Sequence, residues 1–444
     1  MVLGALTILT MMLAEFQADT SATVASAMAD RDGVQAEYVA RSAINLSRLL
    51  IAMEPTLRQG IAPLFVLLKR SPPQLPLWEF SDRLLAPFND KDATQQFASS
   101  LNVNFSTGKN LGLPFGRFEI TIADEDAKIN VNLGASNDIA HIRLAKELMG
   151  LMLPPQYNPL FEQRDATGNY NDRLSICAAI IDWADVDENA MNCDTTQNSP
   201  TSTGGIEDAY YQLLAVKPYR RKNAPYDSLE ELHLVRGITD DFWATFVDPD
   251  PTKPEKRVMT VWGQGAINVN SANAQTLLGV VCSGAPTATI CTDITQAGIF
   301  LSALTMSRAM TMGAPLFGSP ADFIATMKGQ GMLGPILTGM GMTAVKFLSE
   351  ADFAKTITTE SKVFSINAVG IMKGYKRETR LRIVMVVDFR NAPNLSGAGA
   401  APSSSTGPVT GAPTTAVPST SASAASTSIV QPATAGNAIY FRID

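Results

Sequence analysis

The sequence predicts an α+β fold, with a long helix at the amino terminus, a small antiparallel sheet, and a large, mainly helical block inserted into that sheet. Three observations carry this. Residues 15–53 hold one apolar stripe at helical spacing. Strand-like runs flank a helical stretch from Asp138 to about Glu360. A last strand-like run, Ala438 to Ile443, follows a long polar segment. At 444 residues there is room for two or three units, each with its own core.

The first element starts as MVLGALTILTMMLA, uncharged but shorter than the ~20 apolar residues that cross a bilayer as a helix. The first basic residue is Arg31 and no small-residue cleavage site follows Ala14, so this is not a secretory signal. From Glu15 to Met53 there is no proline and Gly33 is the only glycine, while Val24, Met28, Val39, Ala43, Leu46, Leu50 and Met53 make the stripe. Pro55 is expected to stop it. Such a helix is either a buried one with a ragged start or a stalk, apolar end in a membrane and amphipathic half on its own head. The stalk reading implies a basic leader and a few residues ahead of Met1.

Residues 61–113, broken by prolines, read as irregular structure with short helices. Arg117–Ile122 and Lys128–Leu133 then read as a hairpin around the acidic turn Asp124-Glu125-Asp126. Helical patterns follow at His141–Met152, Leu174–Trp183, Ser228–Val235, Ala272–Val281, Ala297–Met312 and Pro320–Met327. Lys362–Val369 and Thr379–Phe389 return to strand, the second rich enough in Ile and Val to be central. Asn391–Ala435 has no charged residue and too little apolar bulk to order itself, so it is expected to be disordered. Ala438–Ile443 is expected to come back beside Leu381–Phe389. The resulting division is 1–54 helix, 55–137 with 361–390 and 436–444 sheet unit, 138–360 helical insertion, and 391–435 loop.

Composition narrows the function. Lys plus Arg number 35 against 42 Asp plus Glu, a net charge of −7, which gives no electrostatic footprint for nucleic acid. His141 and His233 are the only histidines, too few for a histidine-rich zinc site or a His-centred catalytic network. Cys177 with Cys193 and Cys282 with Cys291 fall as two local pairs without C-x-x-C spacing, which fits two disulfides in an oxidising compartment, against free buried thiols.

The chemistry concentrates between Ile181 and Pro225, where Asp182, Asp185, Asp187, Glu188, Asp194, Glu207 and Asp208 crowd a Gly-containing loop. Calcium, which takes six to eight oxygens, is the natural guest of such a loop; a solvated acidic surface is the plainer alternative, and a paired-carboxylate hydrolase a third. Asp185, Asp187 and Asn189 begin like an EF-hand. Ala190 stands where its turn glycine belongs and Thr196 where its bidentate Glu belongs, so a calcium loop here is of another kind. Leu234–Ile238 and Ala266–Ala272 look like helix-hairpin-helix elements, which elsewhere hold DNA backbone and are also used purely for packing.

In order, Ile181-Asp182-Trp183, Asp185 and Asp187, Glu207-Asp208, Tyr210-Tyr211, Tyr219-Arg220, Asn223-Ala224-Pro225, Leu229–Leu232 and Val235-Arg236-Gly237 resemble the K-type minor pseudopilins of bacterial type II secretion systems. Asp124–Asp126, Lys128–Asn132 and Ile267–Asn270 also look like that family. The resemblance implies a non-enzymatic subunit with a pilin-like helix and sheet and an inserted SAM-like or helix-hairpin-helix-like helical domain that binds calcium. Asp185, Asp187, Glu207 and Asp208 are the implied ligands, with Glu188 and Asp194 behind them; the extra stretch Ala190–Gly204 interrupts the family pattern here.

It further implies a tip subunit assembling with I- and J-type minor pseudopilins, the pseudopilus core subunits and the inner-membrane secretion platform. The helix would cross the inner membrane once, with the globular part periplasmic and no nucleic acid bound. No Glu precedes Glu15, as expected of a subunit with no neighbour above it whose terminal amine needs neutralising. A minor pilin of a type IV pilus is the nearest alternative, and a helix-hairpin-helix DNA-binding protein a more distant one.

Overall fold

The computed structural model describes residues 2–67, 71–89, 116–162, 164, 170–195, 201–206, 209–214, 217–311, 313–331, 333–374, 377–392 and 435–444. Most of the expected loop, 393–434, lies outside them. The architecture is α+β, with a long amino-terminal helix, one four-stranded antiparallel sheet and a mainly helical remainder.

Helix α1 spans Val2–Leu67 and runs through Pro55 and Pro63, so the expected stop at Pro55 is corrected. A proline inside a helix forfeits a backbone bond, and contacts on both sides of this one offset the loss. Glu54 and Arg58 pair across Pro55 at 3.4 Å, Arg58 also pairs with Glu360, and Glu54 Oε1 accepts the Leu75 amide at 3.0 Å.

The sheet strands are β1 (Gly116–Asp124), β2 (Val363–Lys373), β3 (Glu378–Asp388) and β4 (Asn437–Ile443), in that spatial order. Ile122 lies opposite Ile366, Ile366 opposite Met385, and Met385 opposite Phe441. Alternation places Ile120, Ile122, Phe364, Ile366, Ala368, Ile383 and Val387 on one face, where they bury Ala36, Val39, Ala40, Ala43 and Ile44 of α1. Gly370 permits the approach, since a Cβ there would stand 1.9 Å from the Ala36 carbonyl oxygen. The chain's last strand does return beside β3. Arg48 of α1 donates to the Ala435 and Gly436 carbonyls at 2.9 and 2.8 Å, and the Arg41 guanidinium lies 5.4 Å over the Phe441 ring.

The expected hairpin at Asp124–Asp126 does not form: β1 pairs with β2, while Ile129–Asn130 pairs in parallel with Met259–Thr260. The acidic turn is buried, and its carboxylates are spent on backbone amides and hydroxyls rather than on water. Asp126 accepts from the Gln264, Lys362 and Val363 amides at 2.7, 2.6 and 3.1 Å. Glu125 takes the Lys128 ammonium at 2.9 Å and the Ser365 hydroxyl at 2.5 Å. The turn thus bolts the sheet to the helical part.

That helical part has its own core and repeats one local plan twice. Ile-Asn-Val-Asn occurs at 129–132 and at 267–270. In each copy the first Asn accepts the amide of the second, Asn132 at 3.0 Å and Asn270 at 2.9 Å. The second Asn then pins both backbone groups of a distant aromatic residue. Asn132 does so at Tyr226 (2.7 and 3.0 Å) and Asn270 at Phe317 (2.9 Å for both).

Two residues beyond the aromatic come Ser228 and Ser319, opening the short helical turns Leu229–Leu234 and Pro320–Met327. Each turn ends at a positive-φ glycine, Gly237 (81°) or Gly329 (76°). Parallel two-residue strand pairs close the copies: Ile129–Asn130 with Met259–Thr260, and Ile267–Asn268 with Ile357–Thr358. The helices that follow Ile-Asn-Val-Asn, Asp138–Met152 and Ala274–Gly284, start on Asn137 and Asn273 caps and cross at Gly150 and Gly279.

Candidate functional site

The acidic loop hangs from the helix Arg173–Asp182, which starts where Asp172 accepts the Ser175 amide at 2.8 Å. Ile176, Ile180 and Ile181 anchor that helix in the core, so Asp182 arrives buried at its last turn. Its Oδ1 accepts the Met191 amide at 3.0 Å. Met191 belongs to a small hairpin, Asn189–Asn192 with Thr201–Ile206, and a disulfide from Cys193 to Cys177 fastens that hairpin to the helix. The second disulfide, Cys282–Cys291, closes a turn in the other copy.

Aromatic rings wall the loop. Trp183 packs edge-on to Tyr211 (5.7 Å) and Tyr219 (6.3 Å), and the buried Tyr226 hydroxyl donates to the Ile180 carbonyl at 2.7 Å. Asn223, in the left-handed region at φ 49°, donates its amide to the Trp183 carbonyl at 3.1 Å. The chain segment carrying Arg221 is thereby laid against the acidic turn.

Of the residues expected to hold calcium, Asp185 is buried, Asp187 and Glu188 are exposed, and Asp194 is half-buried. Glu207 and Asp208 lie outside the described residues, among which no three His, Cys, Asp or Glu side chains converge on one point. Asp187 Oδ1 accepts the Asn189 amide at 2.7 Å. Asp182, one of the crowded acids in the sequence, stands outside the implied ligand set, and Arg221 is not singled out by the sequence at all. Asp182 reads as the end of an apolar helix, though its place next to Trp183 in that run was a usable sign.

Burial pushes the Asp182 carboxyl up to about 7, with Asp187 adding to the rise and the Met191 bond and Arg221 opposing it. Asp185 is likewise pushed up to about 7 by burial and then by Asp182 and Asp187, against Arg221. Asp185 Oδ1 is buried with no hydrogen-bond partner among the described residues. A carboxylate oxygen buried without a donor, beside a second carboxylate forced towards its neutral form, is what a hard cation would relieve. Among the described residues, Asp185 and Asp182 are the side chains that would face such a cation.

The glycine turn of the first helix-hairpin-helix-like element faces inward. A Cβ at Gly237 would stand 2.6 Å from Ile176 Cγ1 and 3.2 Å from Asn171 Cβ, so its glycine serves packing. A wider cleft of about 650 Å³ separates the outer sheet face from the helical part; Glu119, Glu230, Arg257, Arg382 and Arg442 mix both charge signs along its walls.

No protein-family model matches the chain, and no curated protein matches it. Among solved structures it is similar to a chain of the GspK-GspI-GspJ complex from the type 2 secretion system of enterotoxigenic Escherichia coli, at 14% identity, over 70% of this chain and 91% of that one, with a TM-score of 0.37.

Proposed function

We propose that this chain is the K-type minor pseudopilin of a type II secretion system, a non-enzymatic subunit at the tip of the pseudopilus that binds calcium in its acidic loop. The observation that carries the reading is the division of α1. Residues 2–28 are all exposed, including Leu6, Ile8, Leu9, Met11, Met12, Leu13 and Phe16, whereas Ala36, Val39, Ala40, Ala43 and Ile44 are buried on the sheet. By length and composition this helix can cross a membrane. An apolar helix left bare by its own fold needs a bilayer or neighbouring helices around it, and one whose second half is welded to a head is built to be a stalk.

The ordered residues from Ile181 to Gly237 support the K-type assignment, with a type IV minor pilin as the nearest alternative. The buried Asp185 Oδ1, without a donor among the described residues and beside Asp182, is what supports calcium. When bound, the ion would neutralise these carboxylates, and the chain's own contribution is to hold them in place through the Met191 bond, the Cys177–Cys193 bridge and the aromatic wall.

Co-expression of the full chain with candidate I- and J-type subunits, followed by extraction in detergent, tests this. A ternary complex that loosens in a calcium chelator is expected. A protein that ignores both partners and calcium would overturn it.

A further inference from the structure

Arg221 is buried, with 6% of its surface exposed, against a loop rich in carboxylates. Its Nε donates to Asn223 Oδ1 and its Nη2 to the carbonyl of Asp187, so one edge of the guanidinium is held against the acidic turn. Asn223 is itself fixed by its amide bond to the Trp183 carbonyl. Burial disfavours the Arg221 charge, and the nearby carboxylates of Asp185, Asp182, Glu188 and Asp187 oppose that cost. The next residue, Lys222, turns elsewhere, to Asp227 at 2.6 Å and Glu231 at 3.0 Å. Held on the Asp187 carbonyl, the Arg221 charge acts on both Asp182 and Asp185.

A guanidinium in that place does part of what a metal would do: it offsets carboxylate repulsion and ties the loop down. We propose that Arg221 is a built-in counter-cation of the acidic loop, which a divalent cation must displace or share, so that this residue sets how weakly the loop binds calcium. The proposal rests on the calcium reading above and concerns the regulation of that same site. Asp185 Oδ1, buried without a donor, marks the oxygen that Arg221 leaves for the ion. The consequence is a loop that keeps its shape without metal and answers only to a high calcium level, because the ion gains just the difference between its own attraction and that of the resident charge.

The test is calorimetric titration of the full chain, in detergent and stripped with chelator, with calcium chloride alone. Arg221→Met is expected to bind calcium at least about ten-fold tighter than the unaltered protein, since one positive charge no longer opposes the ion. Its melting temperature in chelator should fall below that of the unaltered protein, and calcium should restore it. Lys222→Ala, which removes a neighbouring charge directed away from the loop, should leave calcium affinity unchanged.

Should Arg221→Met fail to fold, Arg221→Gln against Arg221→Lys carries the same comparison, with Gln expected to bind tighter than Lys. If the unaltered protein binds calcium and the charge-removing variants bind it equally or more weakly, this inference falls while the calcium reading stands. If no variant binds calcium at millimolar concentration, both fall.

Discussion

The two copies of the Ile-Asn-Val-Asn plan share a frame and differ in what hangs from it. In the first, the stretch between the framing helix and the pinned aromatic, residues 153–225, holds the acidic loop, the Trp183 cluster and the Cys177–Cys193 bridge. In the second, residues 285–316, Asp293 is the only acidic residue, and the space goes to the apolar helix Ile294–Met310 and the Cys282–Cys291 turn. The frame is built from neutral amide pins that need no ion, whereas the loop assembles carboxylates that repel one another. Stability and cation chemistry are thus carried by different residues, and substitutions can separate them.

The sharpest way to break the comparison is at the crossing of the two framing helices. A Cβ on Gly150 would stand 2.3 Å from the Gly279 carbonyl oxygen and 2.5 Å from the Ser283 nitrogen, both backbone atoms that cannot step aside alone. Gly150→Ala is expected to cost about 3 kcal/mol or more despite the better helix propensity of alanine. Urea unfolding measures it, and an unchanged midpoint would mean that the helices do not cross there.

Next come the disulfides, one per copy. Bridges across 16 and 9 residues should stabilise by about 3 and about 2.5 kcal/mol respectively through the unfolded chain. Replacing Cys177 and Cys193 by serine should also weaken calcium binding, and replacing Cys282 and Cys291 should not. Equal effects on calcium would erase the distinction between loop and frame.

Much of this was legible in the sequence, and what was not has physical causes. The division of α1 showed in the run of uncharged residues before Glu15 and in the stripe after Val24, because helical burial has a period that a sequence displays. The return of Ala438–Ile443 showed because so apolar a strand has no place at the end of a polar tail. The turn at Asp124–Asp126 misled because three acids in a row normally mark solvent, and nothing local reveals that the Gln264, Lys362 and Val363 amides will come to meet Asp126. The repeated plan stayed hidden for the same reason: Asn132 and Asn270 find their partners 94 and 47 residues further on, in inserts of unequal length. Pro55 misled because the contacts that carry the helix past it come from Glu360 and Leu75. In the acidic loop the carboxylates were easy to list, but the burial that sets Asp182 and Asp185 apart and lays Arg221 against the same turn is not shown by composition.

The Asn pins sharpen the comparison further. Asn132→Ala and Asn270→Ala each leave one backbone amide and one carbonyl of a largely buried aromatic residue without partners, which should cost about 2 kcal/mol apiece. The expectation is near equality, measured by thermal unfolding with and without chelator, and no dependence on calcium in either. A cost at Asn132 that vanished in calcium would show that the first copy's frame leans on its loop.

The smallest effect isolates a charge within the frame itself. Glu147 is fully buried on Asp138–Met152, its Oε1 3.1 Å from Arg143 Nε and its Oε2 without a hydrogen-bond partner among the described residues. Arg143 in turn donates to the Gly265 and Thr356 carbonyls at 2.7 and 2.8 Å, so this pair ties the first copy to both ends of the second. Burial pushes the Glu147 carboxyl up to about 7 from an ordinary 4.5, against the pull of Arg143. A raised folded-state value means that the folded chain holds its proton more tightly than the unfolded one, so between about pH 4.5 and 7 stability falls as pH rises, and the full penalty applies above that window. Glu147→Gln keeps the acceptor towards Arg143 and removes the titration. It should match the unaltered protein near pH 4 and exceed it by about 1–2 kcal/mol at pH 8, read from urea midpoints in chelator. A variant less stable at pH 8 than at pH 4, relative to the unaltered protein, would instead show that the ionised carboxylate is what holds Arg143 across the two copies.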